Sequence, residues 1–348
     1  MEPSSLIESL RTTMTLSYAW QYDVQVRSLR ELYTKSKDLQ WDGARALPWH
    51  LSVDPDGPNF PDEVVPIYGH PQWDRLTQRE RVALKREVVS WMLSQFLHGE
   101  QGALLATSQI VTTVQSMDAK FYGATQVMDE ARHVEVYARY LSDKMQLTYP
   151  VTPTLKQLLD VILTDSRWDF KYLGMQIMVE GLALAAFGVM REMTDEPLLK
   201  QLTGNVIRDE ARHVAFGVLS LKEFYEGLTD AELLERQEFA FEAAVRMRDR
   251  FLQQEVWDRL GVNVKDAVKL FDVPAEVKNR DPFQQLLFSK IVPNCKKLGL
   301  LDANDGWLRK RFDTLGVTQF EDWADTGEEY LEMDAVSQDR LAAQVAAS

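Results

Sequence analysis

A chain of 348 residues, 45% hydrophobic and 26% charged, has the make-up of an ordinary globular protein with one large domain or two small ones. Its net charge of -14 sets it against nucleic acid and anionic membranes, both of which call for a basic surface. One cysteine, Cys295, leaves no internal disulfide and no four-cysteine iron site, which fits a reducing cytoplasm.

Strand signals are scarce and long helical patterns dominate, so the chain is expected to be all-α. The N-terminus lacks the basic-then-apolar plan of a secretory signal, in keeping with a cytoplasmic location. Residues 1–76 read as an N-terminal helix followed by a strap over 41–74, crowded with prolines and glycines such as Pro55, Gly57, Pro58 and Pro61. That punctuation suits irregular chain packed over a bundle. Thr77-x-x-Glu80 then opens a helix as a capping box, and the helical pattern runs over 78–113. Further helices are expected at 117–146, at 168–193 and at 197–226, the last with Pro197 in its first turn and Gly227 at its end. Thr229-x-x-Glu232 opens another over 230–259, with Gly261 just past its end. A helix of about 30 residues spans roughly 45 Å, the length of a long bundle helix. Residues 77–260 thus read as the bundle, with 147–167 as its crossover. Residues 261–348 read as a C-terminal extension of shorter helices with a frayed tail.

Tyr172 to Met190 is apolar apart from Gln176 and Glu180 and approaches the length of a membrane span. An ionisable group at the centre of a lipid-facing helix is costly, so a helix buried on all sides in a bundle is the preferred reading.

The pentapeptide Asp-Glu-Ala-Arg-His occurs twice, at Asp129 to His133 and at Asp209 to His213. Each copy's glutamate follows a lone glutamate in a small, apolar stretch 30 positions earlier, Glu100 and Glu180. The surroundings repeat as well, since Glu100-Gln-Gly-Ala-Leu-Leu-Ala answers Glu180-Gly-Leu-Ala-Leu-Ala-Ala. Two helix pairs displaced by 80 residues suggest a pseudo-twofold bundle. On a helix, positions i and i+3 lie about 60° apart, so Glu130 with His133 and Glu210 with His213 can each face one ion. The sum is four carboxylates and two imidazoles, which balances two divalent cations in a buried place. A set of oxygen and nitrogen donors with open positions favours iron or manganese over a closed zinc site. Asp129 and Asp209 are placed to take the other N–H of His213 and His133 across the bundle, with Arg132 and Arg212 pairing to those aspartates. A solvated face laced with salt bridges is the competing reading of one copy, but two copies with buried upstream glutamates favour metal. His98 falls on another helical face, His50 and His70 sit in the strap, and Cys295 reads as a small buried hydrophobe.

At these positions the chain resembles the ferritin-like di-iron carboxylate superfamily over about residues 78–226. The Asp-Glu-x-Arg-His form is similar to that of bacterial multicomponent monooxygenases and of the ligand-binding oxidases related to the ribonucleotide reductase small subunit. The resemblance implies a ferritin-like four-helix bundle with additional N- and C-terminal helices. It implies that Glu100, Glu130 and His133 hold one iron and Glu180, Glu210 and His213 the other, with Glu130 and Glu210 bridging. Markers of individual branches are missing. Leu184 stands where the multicomponent monooxygenases have a threonine, and Gly102 and Met175 stand where the ligand-binding oxidases form a valine–tyrosine cross-link. Val206 stands where arylamine N-oxygenases have a third histidine, and rubrerythrins need cysteines that this chain lacks.

The expected function is that of an O2-activating non-haem di-iron oxidase or monooxygenase acting on a small organic substrate. Its cofactor would be two iron ions, or a manganese–iron pair. An apolar lining drawn from Leu104, Ala124, Leu184, Phe187 and Val206 would keep water from the oxidant. An external reductase or ferredoxin would supply electrons, and a homodimer is the default assembly. Tyr137 lies four residues after His133, the spacing at which the reductase small subunit keeps its redox tyrosine, and a core aromatic is the equal alternative. The other function classes are a radical-storing subunit of that kind and a non-catalytic ferritin-like iron-binding protein.

Overall fold

Four long helices make the body of the molecule, and their ends follow from local chemistry. The computed structural model describes residues 7–249, 253–260 and 282–323, and all structural statements refer to them. Every regular element among these residues is helical, as expected. The bundle consists of α3 (Gln78–Thr113), α4 (Met117–Tyr140), α7 (Glu180–Met193) and α8 (Pro197–Glu226). Helix α3 packs on α4 and α7 on α8, which are the two halves of the sequence repeat.

The α3 start is a complete capping box: Glu80 Oε2 accepts from Thr77 N at 2.7 Å and Thr77 Oγ1 accepts from Glu80 N at 3.4 Å. Each such cap stabilises by about 1 kcal/mol. Pro197 occupies the first turn of α8, where its missing N–H has no role. Helix α4 continues to Met145 through a π-helical turn over Leu141–Met145.

The helix over 168–193 is unbroken but not uniform. It begins as α6 (Trp168–Tyr172), widens into a π-helical stretch over Leu173–Val179 and resumes as α7 at Glu180. Gly217 of α8 lets the two backbones close here, because a Cβ on it would meet Gln176 Cβ at 2.6 Å. The most apolar window of this helix is 83% buried, so the membrane-like composition is that of a helix enclosed by neighbours.

Two differences from expectation have local causes. The crossover holds α5 (Pro153–Thr164), which buries Leu155, Leu158, Leu159, Ile162 and Leu163; Pro153 starts it, and Thr152 caps it by accepting from Leu155 N. The expected 230–259 helix is α9 (Asp230–Asp249) followed by a separate α10 (Gln254–Arg259), and Gln253 between them is left-handed with φ 47°. Gly261 and the C-terminal tail lie outside the described residues. From the extension, α11 (Pro282–Lys297) packs on α7 and α12 (Ala303–Thr314) on α9.

The N-terminal helix α1 (Arg27–Asp38) lies against α4 and α8. Asp118 of α4 anchors its start by accepting from Gln25 N and Val26 N, each at 2.8 Å, and from Arg30 Nε at 2.7 Å. Beyond α1 the strap crosses the bundle with only a short helical turn at Asp62–Val64 and α2 (Pro71–Arg75). Two residues just after α1, Gln40 and Trp41, reach the centre of the molecule.

Candidate metal centre

Glu100 comes from α3, Glu130 and His133 from α4, Glu180 from α7, and Glu210 and His213 from α8. All six are buried, none more than 5% exposed. His133 Nδ1 lies 3.2 Å from Glu100 Oε2, 3.5 Å from Glu130 Oε2 and 3.0 Å from Glu210 Oε1. His213 Nδ1 lies 3.1 Å from Glu130 Oε1 and 3.3 Å from Glu210 Oε2. The six form two overlapping groups, Glu100–Glu130–His133–Glu210 and Glu130–Glu180–Glu210–His213, whose donor atoms lie within 4.8 Å of one another in each group. Glu130 and Glu210 belong to both.

The outer nitrogens of the imidazoles turn to the aspartates of the opposite repeat. His133 Nε2 lies 3.1 Å from Asp209 Oδ2, and His213 Nε2 lies 3.3 Å from Asp129 Oδ2. Arg132 binds both Asp129 and Asp209, the latter at 2.9 Å, and Arg212 binds Asp209. Sequence reading missed three further contributors. Gln40 Nε2 donates to Asp129 at 2.7 Å while its Oε1 accepts from Arg132, and Trp41 Nε1 donates to Asp209 at 2.7 Å under the Arg132 guanidinium. Gln126 Nε2 donates to both Glu130 Oε1 and Glu180 Oε1, at 3.0 and 2.9 Å. Gln126 had a readable signal, a polar residue one turn before Glu130 on the same helical stripe; Gln40 and Trp41 had none.

The electrostatics split the carboxylates. Burial, then the charge of Glu210, pushes the Glu100 carboxyl well above the usual range, against the pull of His133. Burial and Glu210 do the same to Glu180. Burial also works to raise Glu130, but the imidazoles beside it win and hold it far below that range. Burial would lower both histidines, yet Glu100 and Asp209 raise His133, and Glu130 and Glu210 raise His213.

This donor set fits a metal pair. Glu130 Oε2 and Glu180 Oε2 are buried without a hydrogen-bond donor, an unfavourable state unless a cation completes them. Four carboxylates match four positive charges, and the oxygen and nitrogen donors suit iron or manganese.

A cleft with about 490 Å³ of empty space, part of it open to solvent, runs down to Glu100, Glu180 and Glu210. Its walls include Phe96, Gly99, Ala103, Leu155, Leu182 and Phe187. Of the five lining residues expected from sequence, only Phe187 is on the wall. Ala124 is on the exposed face of α4 and Leu104 is half-buried, while Leu184 and Val206 are buried in the core and do not line the cleft. Helical phase in a bundle with helices on every side could not be read from one sequence.

Tyr137 is fully buried, stacks on Phe187 at 5.7 Å and meets Phe96 edge-on at 6.0 Å. Its hydroxyl has no hydrogen-bond partner among the described residues, and burial pushes its pKa well up. The remaining histidines stand apart: His98 Nε2 bonds Tyr149 O at 2.9 Å, His70 caps α2 and His50 is exposed. Cys295 is buried and free, its thiol pushed up to about 12 by burial.

The family described as P-aminobenzoate N-oxygenase AurF has a model that matches residues 23–299. No curated protein matches the chain. Among solved structures, an R2-like ligand-binding oxidase with aerobically reconstituted Mn/Fe cofactor is 14% identical, covering 84% of this chain and 98% of that chain with a TM-score of 0.46. A point mutant of an R2-like ligand-binding oxidase with anaerobically reconstituted Mn/Fe cofactor is 14% identical, covering 80% and 94% with a TM-score of 0.49.

Proposed function

This chain belongs to the P-aminobenzoate N-oxygenase AurF family, and from that premise we propose how its own side chains serve an O2-activating oxygenase. The enzyme is an oxidoreductase with a di-iron or manganese–iron cofactor, and it acts with O2 on a small organic molecule. In our reading, Glu100, Glu130, His133, Glu180, Glu210 and His213 hold the metals, and Glu130 and Glu210 serve both positions. The observation that carries this reading is a neutralising set of six donors at the floor of an apolar cleft.

When bound, the metal pair supplies the redox chemistry that activates O2. The protein's part is arrangement. Asp209 and Asp129 fix the rings of His133 and His213 and keep their Nδ1 atoms turned inward. Arg132 pairs with both aspartates and Arg212 with Asp209, which pins the two carboxylates beside the imidazoles. Gln126 ties down one oxygen each of Glu130 and Glu180 and leaves the second oxygen free to bind metal. Phe96, Leu155, Leu182 and Phe187 exclude water from the substrate side.

The same proposal places the reductant, a reductase or ferredoxin, outside this chain, because its lone cysteine is buried and no cysteine cluster exists to carry an iron–sulfur group. A homodimer and a cytoplasmic location complete it. The radical-storing alternative rests on Tyr137, and its buried hydroxyl has no acceptor for the proton that oxidation releases, which supports the oxygenase reading instead. The test is to mix anaerobic ferrous-loaded protein with O2 while recording the optical spectrum and O2 consumption. A transient charge-transfer band with O2 uptake is expected; neither iron oxidation nor O2 uptake would sink the reading.

A further inference from the structure

The net charge of -14 is not spread evenly along the chain. Residues 12–25 carry one charged side chain, Asp23, and residues 101–117 carry none. The two stretches meet at the end of α3, where Ser17 N donates to Thr112 O at 3.0 Å.

The first stretch is an extended arm that leads into the Asp118 anchor of α1. Its large apolar side chains alternate, as Leu16, Tyr18, Trp20, Tyr22 and Val24, which sets them on one side of an extended chain. That side faces solvent. Tyr18, Trp20 and Tyr22 are 61–80% exposed, and the rings of Tyr18 and Trp20 stack at 5.1 Å.

The second stretch belongs to the outer face of the α3–α4 pair. Gln101, Leu105, Ser108 and Thr112 form the exposed stripe on α3, and Ala124, Met128 and Ala131 the one on α4. Leu105 and Met128 are each more than half exposed. The half-buried Lys120 turns its Nζ to Val111 O at 2.9 Å, so its charge is held against the end of α3. The internal repeat shows what such a face is for. Gly181 and Ala185 of α7 stand 80 positions after Gln101 and Leu105, and both are buried. Helix α11 packs on α7, and Ile291 lies 3.8 Å from where a Cβ on Gly181 would be. Gln101 and Leu105 are exposed, so among the described residues nothing does for α3 what Ile291 does for α7.

We propose that this charge-poor face, the α3–α4 stripes together with the N-terminal arm, is where a second copy of this chain docks about a twofold axis. The inference rests on the reading above only for its homodimer, to which it gives an interface. The size fits. The three aromatic side chains of the arm alone leave roughly 400 Å² in water, and a stable interface takes about 800 Å² per partner, which the helix stripes bring within reach. The charge fits as well. Two copies of a strongly acidic chain repel each other, and they meet at least cost where neither presents a charge. A transient redox partner is steered by charge, whereas a lasting interface between identical copies is the more apolar kind.

Sedimentation of the metal-loaded full chain should show a dimer at micromolar concentration. Trp20→Glu and Leu105→Glu should each raise its Kd at least about tenfold, because the twofold brings two new like charges into the interface. Trp323→Glu, at an exposed ring on the short turn that packs on α11, should leave Kd unchanged. Trp20 lies outside the bundle, so its variant reads the interface even if Leu105→Glu fails to fold. Met128→Cys then reports what covers the face, since the native thiol of Cys295 is buried. A maleimide should label that position slowly in the dimer and fast in the Trp20→Glu background. A monomeric wild type overturns the proposal, as does a dimer whose Kd ignores both variants or moves equally with Trp323→Glu. Slow labelling in the Trp20→Glu monomer overturns it too, because the chain itself then covers the face. O2 uptake by ferrous-loaded protein is read separately: uptake by a monomer refutes only this proposal, and its absence in a dimer refutes only the oxygenase reading.

Discussion

Asp209 Oδ2 lies 3.1 Å from His133 Nε2 across the bundle, although 76 positions separate the two residues. The same aspartate receives Trp41, Arg132 and Arg212. Each pentapeptide therefore supplies the orienting group for the other repeat's histidine. Asp209→Asn keeps the shape and removes the charge, so metal affinity should fall by about 10- to 100-fold. Competition with a chelator measures this, and unchanged affinity would show that the carboxylate does not orient the ligand.

Glu130 and Glu210 lie in both donor groups, whereas Glu100 and Glu180 each lie in one. Glu130→Ala or Glu210→Ala should lose both metals, and Glu100→Ala or Glu180→Ala chiefly one. Metal counting on the purified variants separates the cases. Two metals retained in either bridging variant would mean that the ligand assignment is wrong.

Without metal, protons must do the neutralising. The folded pKa values of Glu100, Glu180, His133 and His213 are all raised, so these groups bind more protons folded than unfolded. Their stabilising contribution is full below the unfolded values, about 4.3 for Glu and about 6.5 for His, and is lost as pH climbs through the folded ones. Glu130 and Asp209 are depressed, and their contribution is lost only in acid. The Tm of metal-free protein should therefore decline as pH rises above about 4.3, and more steeply above about 6.5 where the histidines join, while that of metal-loaded protein stays nearly level. Parallel curves would refute this.

Tyr137 touches Phe96 and Phe187 through its ring, and its hydroxyl is unpaired. Tyr137→Phe should keep O2 consumption within about twofold, because the swap removes one oxygen and no packing contact. Wild-type protein should show no lasting tyrosyl signal by electron paramagnetic resonance. A stable signal abolished in the variant would move the radical-storing reading to first place.

Asp118 binds two backbone N–H groups and Arg30 at the entry to α1. Burial opposes its ionisation, but these donors outweigh it and hold the carboxyl below its usual range. Asp118→Asn should cost about 1–3 kcal/mol and expose residues 7–26 to protease. Chemical denaturation with limited proteolysis checks both. The wild-type contribution is present above about pH 3.9 and disappears as pH falls through the folded value.

The sequence was most legible where chemistry repeats or where an end has its own signal. Thr77 with Glu80 and Pro197 with Gly227 marked helix ends that the structure keeps. Helix α5 escaped because 147–167 reads only as a crossover, although Pro153 is the first residue of a helix there. The α9–α10 break escaped because Gln253 adopts the left-handed region that a glycine or asparagine would have advertised. The six candidate ligands were readable because glutamate and histidine are conspicuous in apolar helices. The cleft was not, because Ala124, Leu104 and Phe187 differ only in helical phase, which neighbours set. Family membership was harder still: Val206 replaces the histidine expected of arylamine N-oxygenases, yet the match spans residues 23–299.

The π-helical stretch over Leu173–Val179 ends at the residue before Glu180. A π turn is the form a helix takes when it absorbs one extra residue, leaving the turns on either side in their own phase. The stretch is thus a seam at which chain length can change by one while Glu180 keeps facing His213 and Trp168 keeps facing Phe224. No such seam precedes the first glutamate, Glu100, since α3 runs as regular helix from Gln78 to Thr113. Across related sequences, single-residue length differences should therefore gather before the third glutamate and be absent before the first.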